Sequence, residues 1–426
     1  MSSLDKTPTG ERLHISIFGR RNAGKSSLVN ALTGQPVAIV SEVAGTTTDP
    51  VAKAMEILPL GPVVLTDTAG IDDVGELGGL RVERSLKVLD KTDLALLVVE
   101  AGAEPAAWED DLAQRARERQ IPVVVVASKT DLHPDASRVQ QWARTRELTC
   151  VPVSSSSGQG VDALREALVR EAPKTFAEPT IVGDLLTPGD VVVMVVPIDK
   201  AAPKGRLILP QVMTIRDVLD HDASALVVKE RELRACLDGL KVKPRMVITD
   251  SQAFLKVAAD TPSDVWMTSF SILMARYKGD LVRFAQGARA LRELRVGDRV
   301  LVSEGCSHHR QGDDIGTVQI PRWLRQMVGG DLQFGFSSGL DFPQDLGSYR
   351  LAIHCGACTL NRREVLHRQR EASVRDVPMT NYGVCLAAVH GILDRALEPF
   401  PEARLAWKGG GRSGVRRKLK MARAAG

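Results

Sequence analysis

A phosphate-binding loop set between a strand and a helix constrains this chain more than any other feature of its sequence. The segment His14-Ile-Ser-Ile-Phe18 is typical of a buried strand. It leads directly into Gly19-Arg-Arg-Asn-Ala-Gly-Lys-Ser-Ser27, after which a helical pattern begins at Leu28. Glycines let the backbone wrap closely around an anion, and the N–H groups at the helix N-terminus attract it. This strand–loop–helix unit predicts an α/β fold with an N-terminal P-loop domain that binds nucleotide phosphates.

Two side chains of this loop are expected to contact the phosphates and their metal ion. Lys25 is placed to reach the β- and γ-phosphates, and the Ser26 hydroxyl is placed to bind Mg²⁺. The nucleotide-binding residues expected from the loop as a whole are Gly19, Asn22, Ala23, Gly24, Lys25, Ser26 and Ser27.

Two further segments complete the expected phosphate and magnesium site. The polar segment 44–49 contains Thr47, which we expect to be the switch threonine that binds Mg²⁺, with its neighbour Thr46 as the alternative. Farther along, an apolar strand ends in Asp67-Thr-Ala-Gly70. Asp67 is expected to hold the Mg²⁺ hydration shell, and the Gly70 N–H to sense the γ-phosphate. The candidate catalytic residues are therefore Lys25, Thr47, Asp67 and Gly70.

Two more segments predict that the base is guanine. Ser128-Lys-Thr-Asp131 follows a valine-rich strand, at the position where guanine-binding proteins carry Asn-Lys-x-Asp. The Asp131 carboxylate can accept hydrogen bonds from guanine N1 and N2, and the stem of Lys129 can cover the base. In a later serine-rich loop, Ser154 and Ser155 are expected to lie nearest the base. Ser128 departs from the pattern, because a hydroxyl cannot replace an Asn amide, so we expect modestly weaker affinity with guanine preference retained.

The loop and the segment after Asp67 resemble those of the TrmE–Era group of GTPases. Asn22 lies inside the loop, and Ile71 rather than Gln follows Asp-Thr-Ala-Gly. In that group an asparagine at this position helps to bind K⁺, whose charge stabilises the transition state as an arginine finger would. The resemblance implies hydrolysis of GTP to GDP and phosphate that is slow without K⁺ and stimulated by K⁺ bound at Asn22. Bracing of the loop is the alternative role for Asn22.

Cysteines and histidines in the last third of the chain predict a metal centre. Cys306 and His308 follow one apolar run, and after 45 intervening residues His354-Cys-Gly-Ala-Cys358 follows another. Because both segments follow predicted strands, their side chains can converge at one edge of a sheet, where two cysteines at this spacing can bind one metal centre. Zn²⁺ with four ligands and a 4Fe-4S cluster on Cys306, Cys355 and Cys358 both fit this pattern.

The order of these features resembles the FeFe-hydrogenase maturation GTPases of the HydF family. In that family a TrmE–Era-type GTPase precedes a Cys-x-His segment and then a His-Cys-x-x-Cys segment at similar spacing. The sequence from Gly356 to Glu364 is similar as well, and the resemblance covers residues 11–401. It implies a 4Fe-4S cluster bound by Cys306, Cys355 and Cys358, with His308 or His354 near an exchangeable fourth site.

The same resemblance implies a scaffold and carrier role. Two radical-SAM maturases would supply a transient diiron precursor that carries CO, CN⁻ and dithiolate ligands, and the chain would transfer it to the apo FeFe-hydrogenase. A homodimer, or a higher oligomer, is also implied, with the middle segment as the dimerisation domain. The implied cofactors are GTP or GDP, Mg²⁺, K⁺ and the 4Fe-4S cluster.

Changes of pattern divide the 426 residues into four predicted segments. A proline-flanked stretch at 173–179 ends the first domain, and the alternation of short strands and helices after it predicts a small parallel sheet covered by helices. The expected segments are a GTP-binding domain (1–173), a dimerisation or adaptor domain (180–264), an α/β iron–sulfur cluster domain (265–401) and a flexible basic tail (402–426).

Charge and composition weigh against a nucleic-acid-binding surface on the folded part. The net charge is +4, and seven basic residues with no acidic ones lie between Lys408 and Gly426, so the rest of the chain carries −3. Only 4% of residues are aromatic, which leaves few groups for stacking on bases. The alternative hypothesis is an RNA- or ribosome-associated GTPase with a structural zinc site. Without an export signal or a membrane span, we expect a cytoplasmic protein.

Overall fold

The computed structural model describes residues 7–33, 51–58, 60–68, 87–173, 180–197, 207–305, 314–339, 342–343 and 345–409. The chain divides into two compact units, Met1–Glu178 and Pro179–Gly426. Each unit contains parallel β-sheet flanked by helices, which confirms the predicted α/β class. The predicted middle and last domains both lie in the second unit. Among the described residues, no helix is both long and apolar enough to cross a membrane.

The first unit is a six-stranded sheet with helices on both faces. Its elements are β1 (Leu13–Gly19), α1 (Lys25–Thr33), β2 (Val51–Ile57), β3 (Gly61–Asp67), β4 (Leu94–Glu100), α2 (Ala107–Glu118), β5 (Val123–Ser128), α3 (Ser137–Arg144), β6 (Thr149–Val153) and α4 (Val161–Glu171). The strand order is β2-β3-β1-β4-β5-β6, with β2 antiparallel to β3 and the other described pairs parallel. One core packs α1 and α4 on one face, and a second packs α2 and α3 on the other. Burial on both faces explains the apolar sequence of β5 and the complete burial of β1, which includes His14 and Ser16.

The second unit contains two four-stranded sheets in which every described strand pair is parallel. Its elements are β7 (Val191–Val195), α5 (Leu209–Asp220), β8 (Ser224–Val228), α6 (Leu233–Gly239), β9 (Met246–Thr249), α7 (Phe254–Asp260), β10 (Trp266–Ser269), α8 (Phe270–Lys278), α9 (Leu281–Gly287), β11 (Arg299–Glu304), a π-helical turn (Ile315–Gln319), α10 (Ile320–Val328), β12 (Gln333–Ser338), β13 (Leu351–His354), α11 (Arg362–Val374), β14 (Met379–Asn381), α12 (Tyr382–Val389), α13 (Leu393–Ala396) and α14 (Pro401–Lys408). The strand orders are β10-β9-β7-β8 and β12-β11-β13-β14.

Helix α8 joins the two sheets of the second unit. Strand β10 ends at Ser269, whose side-chain oxygen accepts a hydrogen bond from the Ile272 N–H (3.2 Å) and so begins the helix. On its other side, Gly383 in α12 approaches so closely that a Cβ there would lie 2.6 Å from the Ser271 Cβ. One continuous apolar core therefore extends over both sheets.

The C-terminal region differs from the flexible tail that the sequence predicts from residue 402. Helix α14 continues to Lys408 and buries Trp407, whose ring centroid lies 3.8 Å from the guanidinium carbon of Arg292. The Lys408 ammonium pairs with Asp394 at 2.7 Å. Charged residues interrupt the apolar residues of α14 in the sequence, but the apolar residues share one face of the helix. That face holds the segment on the folded unit. Residues 410–426 lie outside the described part of the chain.

Candidate functional site

The phosphate-binding loop connects β1 to α1 and makes the close approaches that its glycines predict. A Cβ on Gly19 would lie 2.5 Å from a carbonyl oxygen of β4, and Gly24 has a φ of 92°. Asn22 is exposed and has a φ of 61°, a conformation that asparagine tolerates better than most residues. The buried Lys25 ammonium donates to the carbonyl oxygens of Gly19 (2.9 Å) and Arg20 (2.7 Å). The loop therefore places a buried positive charge beside its backbone N–H groups.

Ser26 and Asp67 meet beside the loop and fit a magnesium ion. The Ser26 hydroxyl donates to Asp67 Oδ2 at 2.7 Å, while buried Asp67 Oδ1 has no hydrogen-bond partner among the described residues. Burial raises the pKa of Asp67, although the Ser26 hydrogen bond and the Lys25 charge oppose that rise. A divalent cation would satisfy the buried oxygen and stabilise the carboxylate. Thr47 and Gly70, predicted for the same site, lie outside the described residues.

An ion pair between distant parts of the sequence ties the loop to α2. Arg20 Nε lies 2.8 Å from Glu109 Oε1, and its Nη2 donates to Oε2 at 2.9 Å. The Glu109 side chain is 1% exposed, and it also accepts a hydrogen bond from the Ala106 N–H at the start of α2. A two-point contact between guanidinium and carboxylate restrains both side chains. The pair therefore fixes the second residue of the loop to the body of the domain.

Asp131 lies in an open groove beside serines that orient its carboxylate. The Ser156 and Ser154 hydroxyls donate to Asp131 Oδ2 and Oδ1, each at 2.8 Å. These hydrogen bonds hold the pKa of Asp131 below its ordinary value, so the carboxylate is ready to accept from guanine. The groove has a volume of about 610 Å³ and is lined by Gly24, Ser27, Asn30, Ala31, Ser128, Lys129, Asp131, Leu132, Ser155 and Ser156.

Ser156 is the residue of this groove that the sequence interpretation missed. The structure brings Ser154 to the Asp131 carboxylate, whereas Ser155 lines the groove and Ser156 supplies the second hydroxyl. Four consecutive serines at 154–157 carry no periodic signal that would distinguish one from the next. Lys129, with a φ of 58°, lines the groove and pairs with Glu100 at 2.9 Å.

Ser128 braces the phosphate-binding loop. Its side chain is 2% exposed, and its hydroxyl lies 2.7 Å from the Ala23 carbonyl oxygen and 3.3 Å from that of Val99. The shorter of these contacts joins the loop to the end of β5. The serine thus keeps a loop-bracing hydrogen bond in the position where the usual pattern has asparagine.

Replacing Ser128 by Ala is expected to weaken GDP binding by about fivefold, because one buried hydrogen bond of about 1 kcal/mol is lost. Titration with a fluorescent GDP analogue would measure the dissociation constant. Ser137→Ala, which removes an exposed hydroxyl from α3 outside the groove lining, is the matched control and should bind GDP as the parent does. Unchanged affinity in the Ser128→Ala variant would contradict the bracing role.

The strands that precede the two predicted metal-binding segments end at the same edge of the second sheet of the second unit. Strands β11 and β13 are parallel neighbours, with Ser303 opposite His354. The Cys355 N–H donates to the Ser303 carbonyl oxygen at 2.9 Å, so the pairing continues one residue past β13. Strand β11 ends at Glu304, and the structure describes one further residue, Gly305, directly before Cys306. Parallel strands bring their carboxyl ends together, as the sequence predicts for these segments.

Two backbone N–H groups donate hydrogen bonds to the Cys355 sulfur. Gly305 N–H donates to Cys355 Sγ at 3.0 Å, and Ala357 N–H at 3.3 Å. Ala357 takes the left-handed conformation of this turn (φ 55°), while a Cβ on Gly356 would meet only ordinary contacts, the nearest at 3.8 Å from Cys358 Sγ. Cys355 and Cys358 therefore share one turn beside donors that stabilise thiolates.

The described residues supply two of the three predicted thiols. Cys306 and His308 lie outside them. Within the part of the chain that the structure describes, no three Cys, His, Asp or Glu side chains are close enough to hold a metal ion. Cys355 and Cys358 provide two thiols on one turn, with two N–H donors on Cys355 Sγ, and such a pair fits a thiolate-bound metal centre.

His354 has a structural environment rather than that of a metal ligand. It is fully buried; its Nε2 accepts a hydrogen bond from Arg368 Nη1 (3.1 Å), so Nδ1 carries the proton and donates to the Cys355 carbonyl oxygen (2.9 Å). Burial and then the Arg368 charge lower the pKa of His354 to about 3, which keeps the ring neutral. Both ring nitrogens are engaged, so the expectation that His354 stands at the fourth metal site disagrees with this arrangement.

Arg368 is the fully buried centre of that polar network. Its Nε pairs with Glu364 at 2.8 Å and its Nη1 also reaches the Ser303 hydroxyl at 3.3 Å. Removing one partner of a buried ion pair leaves an uncompensated charge. Arg368→Met is therefore expected to lower the free energy of unfolding of the second unit by about 3 kcal/mol, measured by urea denaturation.

Arg375→Met is the matched control for that experiment, because Arg375 pairs with Glu371 on the exposed surface of the same region. Exposed pairs contribute little, and we expect a change below about 0.5 kcal/mol. Equal effects of the two substitutions would contradict the structural role of Arg368.

Family models match both units of the chain. A model described as 50S ribosome-binding GTPase matches residues 14–129, a Hydrogen maturase F dimerization domain matches 181–279, and a Hydrogen maturase F tetramerization domain matches 282–399. The two Hydrogen maturase F matches cover 99 and 118 residues, together just over half of the 426-residue chain.

Several GTPases are similar to part of this chain. GTPase Der of Wolinella succinogenes is 33% identical over 179 residues, which cover 40% of this chain and 37% of that protein. The tRNA modification GTPase MnmE of a Synechococcus species is 39% identical over 173 residues, 39% of this chain and 35% of that protein. The chain thus spans little more than a third of the length of these relatives. The crystal structure of Aquifex aeolicus Era bound to GDP·AlF₄⁻ is 21% identical and covers 51% of this chain and 93% of that chain, with a TM-score of 0.34.

These matches agree with the two sites that the structure brings together. The first unit is a GTPase domain that uses GTP and Mg²⁺. In the structure Lys25, Ser26 and Asp67 lie together at the loop after β1, and Asp131 lies in the adjacent groove. The second unit contains both Hydrogen maturase F matches, and the cysteine turn lies in the tetramerization match. The chain belongs to the hydrogen maturase F (HydF) family, with a TrmE–Era-type GTPase domain ahead of its hydrogenase maturation domains.

Proposed function

We propose that this protein is the scaffold and carrier of FeFe-hydrogenase maturation: it receives a diiron precursor from radical-SAM maturases and transfers it to the apo FeFe-hydrogenase. The observation that carries this proposal is the cysteine turn at Cys355 and Cys358, which lies inside the second of two matched Hydrogen maturase F domains. The diiron unit is cargo, so the scaffold role is separate from GTP hydrolysis.

A 4Fe-4S cluster bound by Cys306, Cys355 and Cys358 is the proposed metal site. The two N–H groups on Cys355 Sγ support a ligating thiolate, and Cys306 directly follows one of those donors, Gly305. A closed zinc site needs four protein ligands, and with His354 engaged elsewhere it loses one of its two candidate histidines. A cluster needs only the three thiolates, which favours iron–sulfur over zinc. Three protein thiolates would leave one iron of such a cluster without a cysteine ligand, and that iron could attach the cargo. His308 stays a candidate for this exchangeable site.

GTP hydrolysis in the first unit is proposed to depend on K⁺ held at Asn22. Phosphoryl transfer is accelerated mainly by positive charge and positioning, here supplied by Lys25, by Mg²⁺ at Ser26 and Thr47, and by the backbone of Gly70. An exposed asparagine in the loop can add one oxygen ligand for a further cation. We expect hydrolysis at least about tenfold faster in KCl than in NaCl at equal ionic strength, and equal rates would contradict a role for K⁺.

The nucleotide state is proposed to control partner release. GTP-dependent ordering of the segments that contain Thr47 and Gly70 is a switch that P-loop GTPases use to change their binding surfaces. In this protein the switch would act on binding of the maturases or the hydrogenase and leave the chemistry of the cluster unchanged. The Lys25→Ala variant discussed below tests this separation.

The edge strand β8 supports the proposed homodimer. β8 lies at one edge of its sheet, and its Leu226 and Val227 are 37% and 45% exposed. Leu219 at the end of α5, 53% exposed, extends the apolar surface. An edge strand with exposed apolar side chains is a surface for pairing with a second chain. It lies within the match to the dimerization domain, and the tetramerization match at 282–399 favours further assembly.

Two further expectations accompany this proposal. The five described cysteines form no disulfide, and reduced thiols are typical of the cytoplasm, where we expect the protein to act. The negative charge of the chain before the basic C-terminal segment argues against RNA as a partner of the folded units.

Transfer of the cargo is the test of the proposed function. The full chain, loaded by the two maturases and repurified, is mixed with apo FeFe-hydrogenase, and hydrogen evolution is measured. The proposal predicts activation by the loaded chain and none by the unloaded chain. Failure of the loaded chain to activate, together with tight binding of RNA or ribosomes by residues 1–407, would replace the proposal with the RNA-associated alternative.

A further inference from the structure

Tyr382 and Glu304 form a buried polar pair beside the cysteine turn. The Tyr382 hydroxyl donates to Glu304 Oε1 at 3.2 Å, and the two residues are 8% and 5% exposed. Glu304 is the last residue of β11, and Tyr382 is the first residue of α12. The pair therefore joins two elements that border the metal-binding edge.

A third segment closes over this pair at Gly316. A Cβ on Gly316 would lie 2.1 Å from the Tyr382 hydroxyl oxygen and 2.6 Å from Glu304 Oε1. Gly316 belongs to the π-helical turn, and Asp314 begins that turn by accepting hydrogen bonds from the N–H (2.8 Å) and hydroxyl (2.9 Å) of Thr317. Any side chain at residue 316 would push against the pair. The end of β11, the π-helical turn and the start of α12 thus meet at one phenol.

The same pair is connected to the Cys355 sulfur by one peptide unit. The nitrogen of Gly305 belongs to the peptide that follows Glu304, and its N–H donates to Cys355 Sγ at 3.0 Å. Asn381, directly before Tyr382, donates from Nδ2 to the Cys355 carbonyl oxygen at 3.2 Å. A movement of Glu304 or Tyr382 would therefore change a hydrogen bond to Cys355.

We propose that Tyr382 and Glu304 are positioning residues that set the reduction potential of the metal centre at Cys355. The inference rests on the proposed 4Fe-4S cluster and deepens it. Reduction adds negative charge to a cluster, so an N–H group on a ligand sulfur favours the reduced state and a neighbouring carboxylate disfavours it. Tyr382 favours the reduced state by holding the Gly305 peptide against Cys355. Glu304 disfavours the reduced state through the negative charge of its carboxylate.

Two substitutions separate these effects. Tyr382→Phe removes only the hydroxyl, and we expect a more negative midpoint potential because the Gly305 N–H is no longer held on the sulfur. Glu304→Gln keeps the shape and an acceptor for Tyr382 but removes the charge, and we expect a more positive potential. Both are measured on the reconstituted full chain by EPR-monitored redox titration, with iron content and thermal unfolding as controls for an intact cluster and fold.

Gly316→Ala provides an independent test of the same contact. It should force the pair apart and give the more negative potential of Tyr382→Phe, with iron lost to a chelator about tenfold faster than from the parent. Gly347→Ala, where a Cβ would meet no atom within 4 Å, is the matched control and should behave as the parent.

Opposite shifts for Tyr382→Phe and Glu304→Gln would support the inference. Parental potentials in both variants, or shifts of the same sign, would overturn it while leaving the proposed function intact, because the cluster would still be present. A parent chain that assembles no cluster under reconstitution would overturn the proposed function and this inference together.

Discussion

Replacing Lys25 by Ala is expected to lower the rate of GTP hydrolysis by at least about a hundredfold. The Lys25 ammonium is buried at the loop and held by two backbone carbonyl oxygens, which places its charge where the β- and γ-phosphates bind. Charge stabilisation is the main contribution of a P-loop domain to phosphoryl transfer, so its removal affects the transition state directly. Single-turnover release of phosphate in saturating GTP, Mg²⁺ and KCl measures the effect.

Lys53→Ala is the matched control for this loss of charge. Lys53 lies on the edge strand β2 of the same unit, and its removal should leave the rate near that of the parent. In the maturation assay, Lys25→Ala should assemble its cluster normally but activate little hydrogenase if nucleotide state controls partner release. Parental GTP hydrolysis in Lys25→Ala would contradict the assignment of the phosphate site, and parental maturation would contradict the proposed switch.

Replacing Cys355 by Ala is expected to reduce the iron content of the reconstituted chain from about four per chain to nearly none. Cys355 is the thiol that receives two backbone N–H groups at the shared edge of β11 and β13. Loss of one of three thiolates leaves too few ligands to retain a cluster during purification. Iron and sulfide analysis after anaerobic reconstitution, with the EPR spectrum of the reduced protein, measures the loss.

Cys236→Ala is the matched control, because Cys236 lies half-buried in α6 of the same unit and outside the metal-binding edge. It should retain the parental iron content and spectrum. A Cys355→Ala variant that keeps a full, parental cluster would show that the centre lies elsewhere.

The placement of the nucleotide-site residues follows closely from the sequence, because most of them stand at or just after the ends of predicted strands. The loop from Gly19 to Ser27 connects a strand to a helix. Asp67 is the last residue of β3, and Asp131 follows the end of β5 at Ser128 by three residues. Strand ends of a parallel sheet converge, so positions after strands can be assigned to one site without knowing the helices.

Contacts between residues far apart in sequence are what the sequence could not provide. The Arg20–Glu109 pair and the Ser128 contact with the Ala23 carbonyl oxygen span 89 and 105 residues, and neither has a periodic pattern. The environment of His354 could not be predicted for the same reason. Its position directly before Cys355 suggests a metal ligand, but in the structure its Nε2 accepts a hydrogen bond from Arg368 in α11.

Burial decides the roles of residues that look equivalent in sequence. Cys385 resembles a further thiol near the metal-binding edge, but complete burial in α12 raises its pKa to about 12 and keeps it a neutral packing residue. Trp407 lies in a segment whose basic residues suggest a flexible tail. Its burial against Arg292 instead holds α14 on the folded unit.

Metal analysis of the wild-type chain, purified and reconstituted without oxygen, tests the central claim most directly. We expect about four irons and about four sulfides per chain, little zinc, and an EPR signal that appears on reduction. One zinc per chain, with no EPR signal and no cluster after reconstitution, would contradict the scaffold role and leave a GTPase with a structural zinc site.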